Sequence, residues 1–136
     1  MARSEERENL MKMVYQMALQ NDYSTEAYEK FTELQVEINI TDYFSRVYES
    51  IRDNLEEIDT LINACSVKWK TSRMPAVDLA ILRLAAAEMK YANDIPVSVS
   101  INEAVNLAKK YSTENSSRFI NGVLGKASKE IENAQA

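Results

Sequence analysis

The sequence holds no histidine, one cysteine, two prolines and two glycines in 136 residues. Without imidazole there is no Ser-His triad, no histidine general base and no ordinary zinc ligand set. With no glycine before Gly122, no loop can cradle a phosphate and no dinucleotide fingerprint exists. So few turn residues argue against a β-sandwich or barrel, which needs tight turns at short intervals. The lone Cys65 excludes an internal disulfide and suits a reducing, cytoplasmic compartment. Long apolar runs are also missing. The most apolar stretch, "LAILRLAAAEM", is interrupted by Arg83 and Glu88 and is too short for a bilayer. The opening "MARSEERENL" has no apolar core of the kind a signal peptide carries. These absences argue against an enzyme, a cofactor or metal protein, and a membrane protein. What they leave is a binding module.

Apolar residues make up 46% and charged residues 27%, enough for one domain spanning residues 1–136 with a real core. The net charge of −5 is unevenly spread. Residues 1–68 carry 14 acidic against 7 basic side chains, and residues 69–136 carry 7 against 9. An acidic half beside a mildly basic one suits a partner of mixed demands or solvated helix faces, not a bulk nucleic-acid coater.

Helical spacing recurs along the whole chain. A first helix over about residues 3–20 carries Leu10, Met13, Val14 and Met17. Ser24 is suited to cap a second, with Ala27, Phe31, Leu34 and Ile38 along one face. Thr41 is suited to cap a third, bearing Phe44, Val47, Tyr48, Ile51, Leu55 and Ile58, with a break near Asn54. "ACSVKWKTSRMP" then interrupts the pattern. Pro75 opens a helix over roughly residues 75–91 that is apolar nearly all round, as a central helix is, and Asp78 suits its positive end. "SINE" reads as a capping box, Ser100 with Glu103.

The last segment, "SSRFINGVLGK", sets two signals against each other. Asn121-Gly122 between apolar residues is a hairpin signal. Phe119, Ile120, Val123, Leu124, Ala127 and Ile131 nevertheless keep helical spacing, and no strand partner exists elsewhere. A lone hairpin is marginal, so the pair lies within a helix. At about 100° per residue, Arg118, Gly122, Gly125 and Lys129 fall along one flank. Two glycines there imply either close helix packing, in which case Gly122→Leu overpacks, or an RNA or protein surface rimmed by Arg118.

Three stretches together, "WKTSRMPAVDLAILRLAAAEM", "DIPVSVSINEAVNLAKKY" and "SSRFINGVLGK", resemble the NusB transcription antitermination family over residues 69–126. A weaker likeness, "RENLMKMVYQ", lies at residues 7–16. The resemblance implies an all-α fold, a bundle of about seven helices in two packed subdomains, with no cofactor. It implies two ligands: NusE, a small-subunit ribosomal protein, and single-stranded boxA RNA in nascent ribosomal RNA transcripts. The pair would join the RNA polymerase antitermination complex and help polymerase pass terminators. Arg3 and Arg7 match the family's basic N-terminal arm, Ser116, Arg118 and Phe119 its RNA-facing start of the last helix, and Lys110 lies nearby. Tyr15, Arg73 and Asp78 match positions facing NusE. Phe119 and Tyr15 could equally be packing residues.

A basic track with an aromatic platform suits single-stranded RNA, and the backbone N–H groups at a helix start suit a phosphate. The arm departs from the family pattern: Glu5, Glu6 and Glu8 surround its two arginines, which weakens phosphate attraction. That departure supports a second reading, a protein–protein adaptor or homodimer of the same fold with little RNA binding of its own. Relatives that fuse this fold to an RNA methyltransferase would need a catalytic domain beyond these 136 residues.

Overall fold

Seven α-helices and one short 3-10 turn form the regular structure of the described residues, and no strand occurs among them. The structure, a computed structural model, describes residues 3–35 and 40–135. The helices are α1 (Arg3–Gln20), α2 (Thr25–Leu34), α3 (Asp42–Asp53), α4 (Leu55–Cys65), α5 (Ala76–Tyr91), α6 (Val97–Tyr111) and α7 (Glu114–Gln135), with the 3-10 turn at Thr71–Arg73. Helix α5 is central. It packs against α1, α3, α4, α6 and α7, so the N-terminal and C-terminal helices share one core.

Local chemistry sets most boundaries as expected. The Ser24 hydroxyl accepts from the Ala27 N–H at 3.2 Å, and the Thr41 hydroxyl from Phe44 at 3.3 Å, so both cap their helices. Helix α1 ends where Asn21 turns to a φ of 50°, a conformation asparagine tolerates, and Asp22 closes the turn onto the Met17 carbonyl. The break near Asn54 is present and divides α3 from α4.

Three expectations are corrected. Leu34 ends α2 with its side chain 70% exposed, so it is not a core position, and Ile38 lies outside the described residues. Ser100 is not an N-cap, because α6 already begins at Val97 behind Pro96, whose ring pre-sets the backbone. Ser100 is buried, and its hydroxyl donates to Glu88 at 2.9 Å. Glu103 instead accepts from Ser4 at 2.7 Å and lies 3.6 Å from Arg7. The glycines of α7 are not close-packed either. A side chain at Gly122 or Gly125 would meet nothing within 4 Å, because that flank of the helix faces outward.

The all-round burial of α5 encloses charges as well as alkyl groups. Glu88, 0% exposed, accepts from Arg7 twice, from Tyr43 at 2.6 Å and from Ser100, so one carboxylate joins α1, α3, α5 and α6. Arg83 donates to both oxygens of Asp59 at 2.8 and 2.7 Å and to the Tyr23 hydroxyl. No buried side-chain donor or acceptor lacks a partner among the described residues. Full satisfaction makes such burial tolerable.

Candidate nucleic-acid interface

Helix α7 begins with a cap that fixes its first turn. The Thr113 hydroxyl accepts from the Ser116 N–H, and the Thr113 carbonyl from Ser117, both at 3.0 Å. Below this turn lies Asp78, 2% exposed, in the first turn of α5. Its two oxygens accept from the Ser112 and Ser116 hydroxyls, each at 2.8 Å. Asp78 therefore clamps the α6–α7 turn onto the central helix. It presents no carboxylate at the surface, so its part at any protein interface is to hold that turn from beneath.

From the clamped turn Arg118 projects outward, with a side chain 72% exposed and a single long contact, 3.3 Å, to Glu114. Phe119 beside it is half-buried at the margin of the core. Its ring meets Trp69 at a centroid distance of 6.3 Å and an angle of 45°. Trp69 sits in the α4–α5 connection, which is held by its own hydrogen bonds. The Ser66 hydroxyl donates to the Trp69 carbonyl and accepts its N–H, and Asn63 binds both the N–H and the hydroxyl of Thr71. Lys68 and Lys70 are the chain neighbours of Trp69; the Lys68 ammonium lies 5.7 Å from the ring centroid, and the Lys70 ammonium donates to the Asn63 carbonyl at 3.2 Å. Arg73 is exposed on the same connection. The Trp69–Phe119 contact thus brings the lysine-bearing α4–α5 connection against the start of α7, where Arg118 is exposed.

Trp69 and Lys68, with Lys70 on the same connection, are candidate residues that the sequence motifs do not single out. Alternation of lysine with an aromatic in "VKWK" is the signal, since it pairs a stacking face with phosphate counter-charges.

The expected N-terminal arm divides. Arg3 is about half exposed, lies 4.1 Å from the Tyr43 ring centroid and donates to Glu6 at 3.0 Å. Arg7 is different. It is buried against Glu88 and Tyr43, so it does not line the surface, and its role is internal. Burial opposes its charge, but the hydrogen bond and charge of Glu88 outweigh this and push its pKa up. Lys110 is exposed, yet its ammonium donates to both oxygens of Glu8 at 2.9 and 3.1 Å. The Tyr111 hydroxyl, then Lys110, hold the Glu8 carboxyl below the usual range. Two of the arm's three glutamates thus have named targets: Glu8 tethers α1 to α6, and Glu6 neutralises Arg3. Tyr15 is half-buried on α1 and, with Phe31 and Leu19, borders a cleft toward α2.

Residues 4–129 match the model of the NusB family. The chain belongs to that family. Among NusB relatives, the transcription antitermination protein NusB of Acetivibrio thermocellus is 48% identical over 131 residues, which cover 95% of this chain and 90% of that protein. The NusB of Natranaerobius thermophilus is 41% identical over 99% of this chain and the whole of its own length. Among solved NusB structures, that from T. maritima superposes with a TM-score of 0.84 at 34% identity, over 96% of this chain and 92% of the other. The antitermination factor NusB crystallised with NusE and dsRNA superposes with a TM-score of 0.81 at 25% identity, over 96% and 99%. The expected all-α, two-part NusB fold is the one observed.

Proposed function

We propose that this chain is an RNA-binding transcription antitermination factor that acts with NusE on single-stranded boxA-type RNA in nascent ribosomal RNA transcripts. It works by binding rather than by catalysis, in the cytoplasm, as one RNA- and protein-binding domain within the RNA polymerase antitermination complex. The observation that carries the RNA reading is the Trp69–Phe119 pair beside Arg118 at the capped start of α7. Two tilted rings offer faces to unstacked bases, which a duplex keeps stacked and a single strand does not. Arg118, Lys68 and Lys70 supply phosphate contacts, and Arg3, Lys110 and Ser116 extend the track. Arg7 contributes by anchoring α1, so its part in RNA affinity is indirect.

For NusE, the proposed surface runs from Tyr15 on α1 to the exposed Arg73, with Asp78 fixing the turn between them and the RNA residues. A neighbour of this fold crystallised with NusE and RNA supports the pairing. The decisive experiment titrates a boxA-type RNA strand into the protein with and without NusE, using wild type and a Trp69→Ala/Phe119→Ala double variant. Tight binding by wild type in the presence of NusE, lost in the double variant, is the expected result. Wild type that holds NusE but no RNA would favour the adaptor reading, and self-association without NusE the homodimer.

A further inference from the structure

The far end of α7 offers a second surface of opposite character. Helices α4 and α7, with Lys90 near the end of α5, line an open groove of about 640 Å³. Its apolar lining is Leu61 and Ala64 from α4 and Ile131 and Ala134 from α7. Its charged lining is acidic: Asp53, Glu56, Glu57 and Glu130 against the single cation Lys90. Lys90 is already 3.8 Å from Glu57, which also accepts from the Tyr91 hydroxyl, and Asp53 is held by Arg52. Glu56 and Glu130 make no ion pair among the described residues.

We infer that this groove docks an amphipathic helix of a protein partner, one that carries Lys or Arg on both flanks of an apolar stripe. The complementarity is twofold. A groove between two helices, lined by two alanines and two larger aliphatics, accepts the apolar anchors of a third helix spaced at i, i+3, i+4 and i+7. Carboxylates carried by α4 and α7 then meet its basic flanks and reject nucleic acid and acidic helices. Ile131 is thirteen residues beyond Arg118 on the same helix, about 20 Å at 1.5 Å per residue. An RNA strand at one end and a basic helix at the other can therefore be held together. This inference does not depend on the RNA reading.

The test uses two synthetic amphipathic peptides with one shared apolar face, flanked by lysine in one and by glutamate in the other. Each is titrated into the isotope-labelled full chain while backbone amides are followed by NMR. The lysine peptide is expected to shift Leu61, Ala64 and Ile131, to weaken with rising salt, and to bind several-fold less well to Glu56→Gln/Glu130→Gln. Both glutamates are exposed, so that variant keeps its fold, and its boxA affinity should equal wild type. Equal binding of the two peptides, shifts confined to the start of α7, or no shifts at all would overturn the inference. So would sedimentation showing a wild-type dimer that Ile131→Lys dissociates, because the occupant would then be a second copy of this chain.

Discussion

Arg7 and Glu88, 81 positions apart, meet through two hydrogen bonds of 2.7 and 3.0 Å with both side chains closed to solvent. The pair is the joint between the first helix and the central one, and Tyr43 and Ser100 complete it. Arg7→Ala leaves a buried carboxylate without its counter-charge, which typically costs about 3–5 kcal/mol. Urea unfolding should show that loss, and Arg3→Ala, whose own side chain is half exposed, should show a smaller one, because buried Glu6 loses its partner. Arg7→Met/Glu88→Leu should recover only part of it, since the Tyr43 and Ser100 hydroxyls would each lose a buried partner at about 1–3 kcal/mol. If Arg7→Ala melts like wild type, the joint contributes nothing to the fold.

Gly122 presents the opposite case, a position with unused room. Its φ is negative and a Cβ there meets nothing within 4 Å. Gly122→Ala should therefore stabilise the helix by up to about 1 kcal/mol through propensity alone. Overpacking by Gly122→Leu, expected from close helix contact, has no neighbour to act on. A measured loss in thermal melting of Gly122→Ala would contradict the open flank. If melting improves while RNA affinity falls, the glycine serves approach of a ligand to the helix backbone.

These two positions illustrate what the sequence made legible. Periodicity with the Ser24 and Thr41 caps is local information, and it located α1, the α3–α4 break and the buried α5. Partners distant in sequence were not legible. Nothing near Arg7 or Asp78 announces Glu88 or Ser116, so both charges read as surface residues when each is internal. Ser100 carried a capping signal that the deeper demand of Glu88 for donors overrode. Trp69 was read as a break in helical spacing, and only its contact with Phe119 makes it part of a surface.

Glu8 gives the fold a defined acid dependence. Tyr111 first, then Lys110, lower its folded-state pKa, whereas the unfolded chain titrates near about 4.3. The unfolded state then binds more protons between the two values, so stability rises with pH across that window. The contribution is complete above the unfolded pKa and is lost as pH falls through the lower folded value. Urea midpoints measured from neutral pH down through this window should fall less steeply for Glu8→Gln than for wild type. Equal slopes would mean that the tether between α1 and α6 does not form in solution.

Asp78→Asn separates positioning from contact. The carboxylate holds two hydroxyls beneath the α6–α7 turn, and an amide can accept through only one oxygen. Stability should fall by about 1–3 kcal/mol, and RNA affinity should fall with it while the salt dependence stays the same. An unchanged melting curve with weakened NusE binding would instead make Asp78 a direct partner contact.

Arg118 tests the phosphate half of the surface and Trp69 the base half, so the two variants should fail in different ways. Arg118 is exposed and held only by Glu114 at 3.3 Å. Arg118→Ala should leave melting within about 0.5 kcal/mol of wild type. RNA affinity should fall, and the slope of log affinity against log salt should flatten by about one counterion. Trp69→Ala removes a stacking face instead, worth about 1–3 kcal/mol per base. Its salt slope should remain parallel to wild type, because no charge is lost. Binding isotherms at several salt concentrations, with NusE present, distinguish these patterns. A flattened slope for Trp69→Ala would mean that the indole acts by positioning Lys68 or Lys70 rather than by stacking. Parallel slopes and equal affinity for Arg118→Ala would mean that the α7 flank touches no phosphate, and the RNA track would then have to run through Arg3 and Lys110.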